Sequence, residues 1–167
     1  FALISSTRAS SVSMFRIRSY LEIQQVRYRD ILEYEIQIAP ELYQYKILKL
    51  TLQPLVENSL YHGIKYKRAK GTISVNGWLQ DGRIHFTVQD NGVGMEEEEL
   101  AKLKEEIAKP CQDTEKGFGL ANVNERIRMN FGIEYGMQID SAKGKGTRVE
   151  IIIPAVCYAA DRGEQDV

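Results

Sequence analysis

The chain has little of several things that would announce a class. Its two cysteines, Cys111 and Cys157, lie far apart and match no metal-ligand spacing. That excludes a disulfide scaffold and makes a reducing compartment the simpler expectation. There is no run of about 18 apolar residues, the length a membrane-crossing helix needs. There is no secretory leader pattern, and the first residue is Phe1 rather than Met, so we expect an excised piece of something longer. Neither sign of charge dominates: 22 Lys and Arg stand against 23 Asp and Glu, a net charge of −1. No basic excess advertises nucleic acid, and no nucleic-acid partner is expected. No internal repeat suggests a solenoid. What is left is an ordinary globular composition, 43% hydrophobic and 27% charged in 167 residues. A chain of this length buries a real core as one domain with one extra element attached.

Hydrophobic spacing divides the chain. Residues 11–29 read as a helix, with Met14, Ile17, Leu21 and Tyr28 on one stripe. Two readings of that stripe stand open, a core-facing helix and a helix packed on a partner helix outside this sequence. Leu32, Tyr34, Ile36 and Ile38 alternate with Glu33, Glu35 and Gln37, so residues 32–38 are expected as a half-buried strand ending at Pro40. A helix follows from Thr51, with Thr51 as N-cap, Pro54 in the first turn and Leu52, Leu55, Val56 and Leu60 as its apolar face. Residues 72–79 and 83–89 form a hairpin around Asp81-Gly82. A Glu-rich helix over 96–108, a helix from Leu120 to Met129 and strands near 136–141 and 147–153 complete the pattern. The expected fold class is α+β: a two-layer sandwich, its mixed sheet of about five strands packed on three helices, plus an N-terminal helix.

Three glycine-rich turns adjoin these elements. Asp90 ends a strand and is followed by Asn91-Gly92-Val93-Gly94. A carboxylate there accepts from an amino group such as that of adenine, or caps its own turn. Gly117-Phe118-Gly119-Leu120 opens a helix, where bare N–H groups and the helix dipole favour an anion, although a helix start without function has the same sequence. Asn58, beside Glu57, is a polar residue at the edge of an apolar face. Its amide oxygen suits Mg²⁺ as well as it suits an unremarkable rim contact. His62 shares that face.

Taken in order, LQPLVENSLYHGI (52–64), DNGVGM (90–95), GFGLANVNERI (117–127) and GKGT (144–147) resemble the ATP-binding domain of sensor histidine kinases. These are members of the Bergerat-fold group that also holds gyrase and the MutL repair proteins. YLEIQQVRYRD, LEYEIQIAPEL and FGIEYGMQIDSAKGKGT look like its LytS/YesM-type subfamily, and the likeness covers about residues 16–154. The resemblance implies ATP and Mg²⁺ as cofactors, with Asn58 as the Mg²⁺ ligand. Asp90 would accept from the adenine amine, with Gly92, Gly94 and Thr147 around the ring and His62 near it. Gly117, Gly119 and Leu120 would hold phosphates, and residues 96–116 would form a mobile lid. Hydrolytic relatives carry a water-activating Glu at the position of Pro54, which argues against efficient hydrolysis. Glu57 would instead polarise an acceptor imidazole as general base. Many kinases have Lys where Tyr61 stands. Neither His62 nor His85 suits the phosphoacceptor, which the family carries on a helical domain.

The implied organisation is residues 1–30 as the remnant of a dimerisation helix and connector, 31–154 as the catalytic domain and 155–167 as a loose tail. The implied function is γ-phosphoryl transfer to a His, then relay to a response regulator Asp. The whole protein would be a membrane-anchored homodimer with this part cytoplasmic. A Bergerat-type ATPase and a nucleotide-sensing or dimerisation module without transfer are the alternatives.

Overall fold

The computed structural model describes residues 7–48, 51–67, 69–109 and 119–157. The chain runs β1 (Thr7–Ala9), α1 (Ser10–Arg27), β2 (Leu32–Ile38), a 3-10 turn (Pro40–Gln44), β3 (Lys46–Leu48), α2 (Gln53–Asn58) and a π-helical turn (Ser59–Ile64). It continues through β4 (Gly71–Gln80), β5 (Arg83–Asp90), α3 (Glu97–Ala108), α4 (Leu120–Phe131), β6 (Gly136–Ala142) and β7 (Gly146–Pro154). Five strands form one mixed sheet in the order β2-β4-β5-β7-β6. β2 is parallel to β4, and the other neighbours are antiparallel.

Side chains alternate between the two faces of a strand, so each apolar alternation becomes one buried face. Ile73, Val75, Ile84, Phe86, Val88, Val149, Ile151 and Ile153 pack under Leu55, Leu60, Ile64, Val123 and Ile127 of the helical layer. The other face is polar. There Trp78 stacks on His85 with ring centroids 5.2 Å apart, and His85 Nδ1 lies 2.9 Å from Glu150. The β4–β5 hairpin turns at Asp81 and Gly82, both at positive φ, 51° and 71°, the turn whose twist matches that of the strands. The α+β sandwich is the class the sequence led us to expect.

Several expectations need correction. Thr51 does not cap α2. The helix starts at Gln53, Leu52 flanks it without a side-chain cap, and the Thr51 hydroxyl donates back to the Leu48 carbonyl at 2.8 Å. Pro54 in that first turn has no N–H to present to a cap. β1 and β3 pair as a separate ribbon and were not foreseen, because three residues are too few to show a period. The Glu-rich helix expected over 96–108 is present as α3, closed by reciprocal capping between Glu96 and Glu99 and with Ile107 buried in the core. The rest of the expected lid, with Cys111 and Gly117, lies outside the described residues.

Helix α1 belongs to the same core as the sheet, with Met14, Ile17 and Leu21 buried in it, which is the core-facing reading of that stripe. Of the expected tail only residues 155–157 are described. The Ala155 N–H donates to the Gly82 carbonyl at 3.1 Å, and Cys157 bridges Tyr45. Among the described residues no helix is long and apolar enough to cross a membrane.

Candidate nucleotide site

Asp90 ends β5 in the centre of the sheet and is 2% exposed. Its Oδ1 accepts from the N–H of Gly92 at 2.9 Å and from the N–H of Thr147 at 3.3 Å. Among the described residues its buried Oδ2 has no hydrogen-bond partner at full hydrogen-bond distance, the Ser59 hydroxyl being the nearest donor to the carboxylate. Burial raises the Asp90 pKa, while the Gly92 N–H, the Ser59 hydroxyl, the Thr147 N–H and the Lys67 charge pull it back down. An acceptor with one oxygen held and the other orphaned is costly to the fold, and it stands ready for a donor from outside.

Asp90 opens on a cavity of about 460 Å³. Asn58, His62 and Gly63 supply one wall, Val93, Gly94 and Met95 the floor, Glu99 and Leu103 of α3 the roof, and Lys143 and Thr147 the far side. The walls meet closely because glycines face each other. A Cβ on Gly63 would stand 2.5 Å from Asp90 Oδ1, and one on Gly92 would collide with the Gly63 backbone. The π-helical turn carries Gly63 to that point. Its wider winding is marked by the Lys65 N–H donating to the Leu60 carbonyl at 2.9 Å, and the Val93 N–H reaches the Gly63 carbonyl at 3.3 Å. Such turns are rare and occur mostly at functional sites.

Five of the residues singled out from the sequence line this one cavity: Asn58, His62, Asp90, Gly94 and Thr147. Gly92 supports it from behind by donating to Asp90. Glu57 is not on its wall. It is half-buried on the side facing α1 and accepts from Gln53 Nε2 at 3.0 Å. Gly119 and Leu120 start α4 away from the cavity wall. Gly119 has an ordinary extended backbone, and a Cβ there would meet nothing within 4 Å.

The sequence reading missed Ser59, Gly63, Met95, Glu99, Leu103, Ser141 and Lys143. Only Gly63 carried a signal, as a glycine inside a helical pattern. The others depend on contacts across the fold. Ser141 is one such case: its hydroxyl meets the Met95 N–H at 3.0 Å, the Gly146 carbonyl at 2.9 Å and the Thr147 hydroxyl at 2.9 Å.

Comparison with known proteins identifies the family and the fold. The chain is 35% identical over 140 residues to the sensor protein LytS of Bacillus cereus, covering 83% of this chain and 23% of that protein. It is 35% identical over 138 residues to the sensor histidine kinase YesM of Bacillus subtilis, covering 83% of this chain and 22% of that protein. It therefore spans less than a quarter of the length of these relatives. In fold it is like the catalytic domain of histidine kinase ThkA, with a TM-score of 0.62 at 16% identity over 91% of this chain and 97% of that one. The mycobacterial sensor histidine kinase MprB gives 0.58 at 19% identity, over 90% of this chain and 97% of that one. The family model described as histidine kinase-, DNA gyrase B-, and HSP90-like ATPase matches residues 46–156. The chain belongs to that ATPase family.

Proposed function

We propose that this chain is the ATP-binding catalytic part of a two-component sensor histidine kinase. The observation that carries the reading is the orphaned Asp90 Oδ2 at the end of a cavity that also holds the Asn58 side chain. Asp90 accepts from the adenine amine there, with His62 and Thr147 beside the ring. The phosphates run toward Asn58 and the start of α4, where Gly117, Gly119 and Leu120 bind them. Among the described residues neither backbone conformation nor crowding calls for a glycine at 119, which supports a phosphate approaching its N–H. Among the described residues no cluster of three or more His, Cys, Asp or Glu could hold a metal ion. A single amide oxygen at Asn58 fits Mg²⁺ that arrives on the phosphates and keeps most of its waters. Bound there, the ion supplies charge neutralisation on the transferring group.

In the reaction the γ-phosphoryl leaves ADP and bonds to a nitrogen of a His on a helical domain, then passes to an Asp of a response regulator. This chain contributes positioning and electrostatics, which carry most of phosphoryl transfer; for Glu57 to polarise the imidazole as general base it must leave its contact with Gln53. A similar solved structure is that of histidine kinase ThkA in complex with the response regulator protein TrrA, which supports a partner of that class. The two-sided character of α1 supports homodimerisation through a longer helix: Phe15, Ile23 and Val26 leave a second apolar stripe bare, at 70%, 65% and 68% exposure. The whole protein is then a membrane-anchored dimer with this part in the cytoplasm.

A second reading, a nucleotide-sensing module without transfer, is favoured by the position of Glu57 off the cavity wall. Supplying a His-bearing helical domain from a LytS-type kinase in trans with Mg·ATP separates the two. Acid-labile phosphate on that domain supports the kinase, and nucleotide binding without labelling supports the sensor. Steady-state ATP hydrolysis should stay near background, since Pro54 occupies the water-activating position.

A further inference from the structure

We infer that Ser141 is a positioning residue that sets which purine this site accepts, by withdrawing two hydrogen-bond donors from the base end of the cavity. The inference rests on the nucleotide reading above and goes beyond it to a residue that does not line the cavity.

Ser141 Oγ has three neighbours at hydrogen-bond distance and a single proton. The Met95 N–H can only donate to it, at 3.0 Å. The Gly146 carbonyl can only accept, at 2.9 Å. If the Ser141 proton goes to Gly146, the Thr147 hydroxyl must donate to Ser141 across their 2.9 Å contact. The reverse arrangement would leave two oxygens facing each other at 2.9 Å with no proton between them. One assignment therefore satisfies all three contacts, and in it Thr147 turns its proton away from the cavity and keeps only lone pairs to offer.

The neighbouring donors are committed as well. The N–H groups of Gly92 and Thr147 go to Asp90 Oδ1, and that of Val93 goes to the Gly63 carbonyl. Of the groups around Asp90 and Thr147, this leaves Asp90 Oδ2 and Thr147 Oγ1 as acceptors toward the base, with the Ser59 hydroxyl directed at the Asp90 carboxylate and the donors of Asn58 and Lys143 elsewhere on the wall. A purine with a 6-amino group meets the two acceptors with donors. A 6-oxo purine sets a third acceptor against them at C6, with only its N1–H left to donate, and binds more weakly. Removing Ser141 frees the Met95 N–H and the Thr147 O–H to face that oxygen.

The test measures dissociation constants for ADP and IDP by calorimetry in wild type, Ser141→Ala, Thr147→Val and the double variant, with melting curves for each. The expected result is that Ser141→Ala lowers the ADP-over-IDP preference about tenfold, the scale of one exchanged hydrogen bond. In the Thr147→Val background Ser141→Ala should lower that ratio by less, since only the Met95 N–H is left to be freed. Equal loss of both ligands would make Ser141 merely structural and overturn the inference, as would a ratio that Ser141→Ala leaves unchanged. A wild type that binds neither nucleotide overturns the nucleotide reading itself, and the inference with it.

Discussion

Asp90 illustrates how a single residue is set against its own fold. Burial raises its pKa above the ordinary 3.8, so the folded state prefers the protonated acid. Its contribution to stability is therefore fully present below the unfolded pKa and is lost as pH rises through the raised folded value. At neutral pH Asp90→Asn should raise the melting temperature of the ligand-free chain. The same change should weaken ADP by about 10- to 100-fold, the worth of a charge-assisted hydrogen bond of about 1.5–3 kcal/mol. As pH falls, wild-type Asp90 becomes protonated and its advantage over the Asn variant should shrink. Calorimetric titration of both proteins across a pH series checks the sign, and an advantage that grows at low pH would refute it.

Two glycines make a matched pair at the same scale. Gly63→Ala drives a Cβ against the Asp90 carboxylate. It should cost about 1–3 kcal/mol of stability through overpacking and weaken nucleotide binding. Gly119→Ala meets open space, so it should leave the melting temperature unchanged and weaken binding only if phosphates approach that N–H. Melting curves alongside nucleotide titration separate the two effects.

At the scale of elements, α1 divides into a side that the domain owns and a side that it does not. Leu21 is fully buried, and Leu21→Ala should destabilise the chain by about 2–5 kcal/mol. Phe15→Ser on the bare stripe should change stability by no more than about 0.5 kcal/mol, while weakening any self-association seen by sedimentation. The contact between α1 and the nucleotide helix carries a strained polar group. The Tyr20 hydroxyl is buried with no partner at full hydrogen-bond distance among the described residues, and burial, then a weak hydrogen bond with Tyr61 and the charge of Glu57, push its pKa up. Since a buried unsatisfied hydroxyl costs about 1–3 kcal/mol, Tyr20→Phe should hold or raise the denaturation midpoint. A clear loss would mean that the hydroxyl has a partner after all.

For the whole molecule, the cavity sits where the central strand β5, the π-helical turn and the β6–β7 turn converge, so a ligand there ties together parts far apart in sequence. ADP at 100 times its dissociation constant should add about 2.7 kcal/mol, a melting shift of about 5–10 °C for a chain of this size. Calorimetric or fluorescence melting with ADP and with GDP reads this directly. A shift of equal size with GDP would remove the case for an adenine site.

The sequence by itself determined the strands from Leu32 to Ile38 and around Asp81-Gly82, because alternation and turn chemistry are local properties of neighbouring residues. It also determined the residues Asn58, Asp90 and Thr147 as a set, because segments in a fixed order survive as a pattern even when each is ambiguous alone. It could not determine that Ser59–Ile64 winds as a π-helical turn, since that winding is fixed by Gly63 meeting Asp90 and Gly92 from another element. Nor could it determine that Thr51 turns back to Leu48, that Glu57 faces α1 rather than the cavity, or that Ser141 holds Met95 and Thr147 together. The tertiary structure decided these points, because each depends on which side chain stands across a gap, and residues far apart in the chain meet only once the sheet has formed.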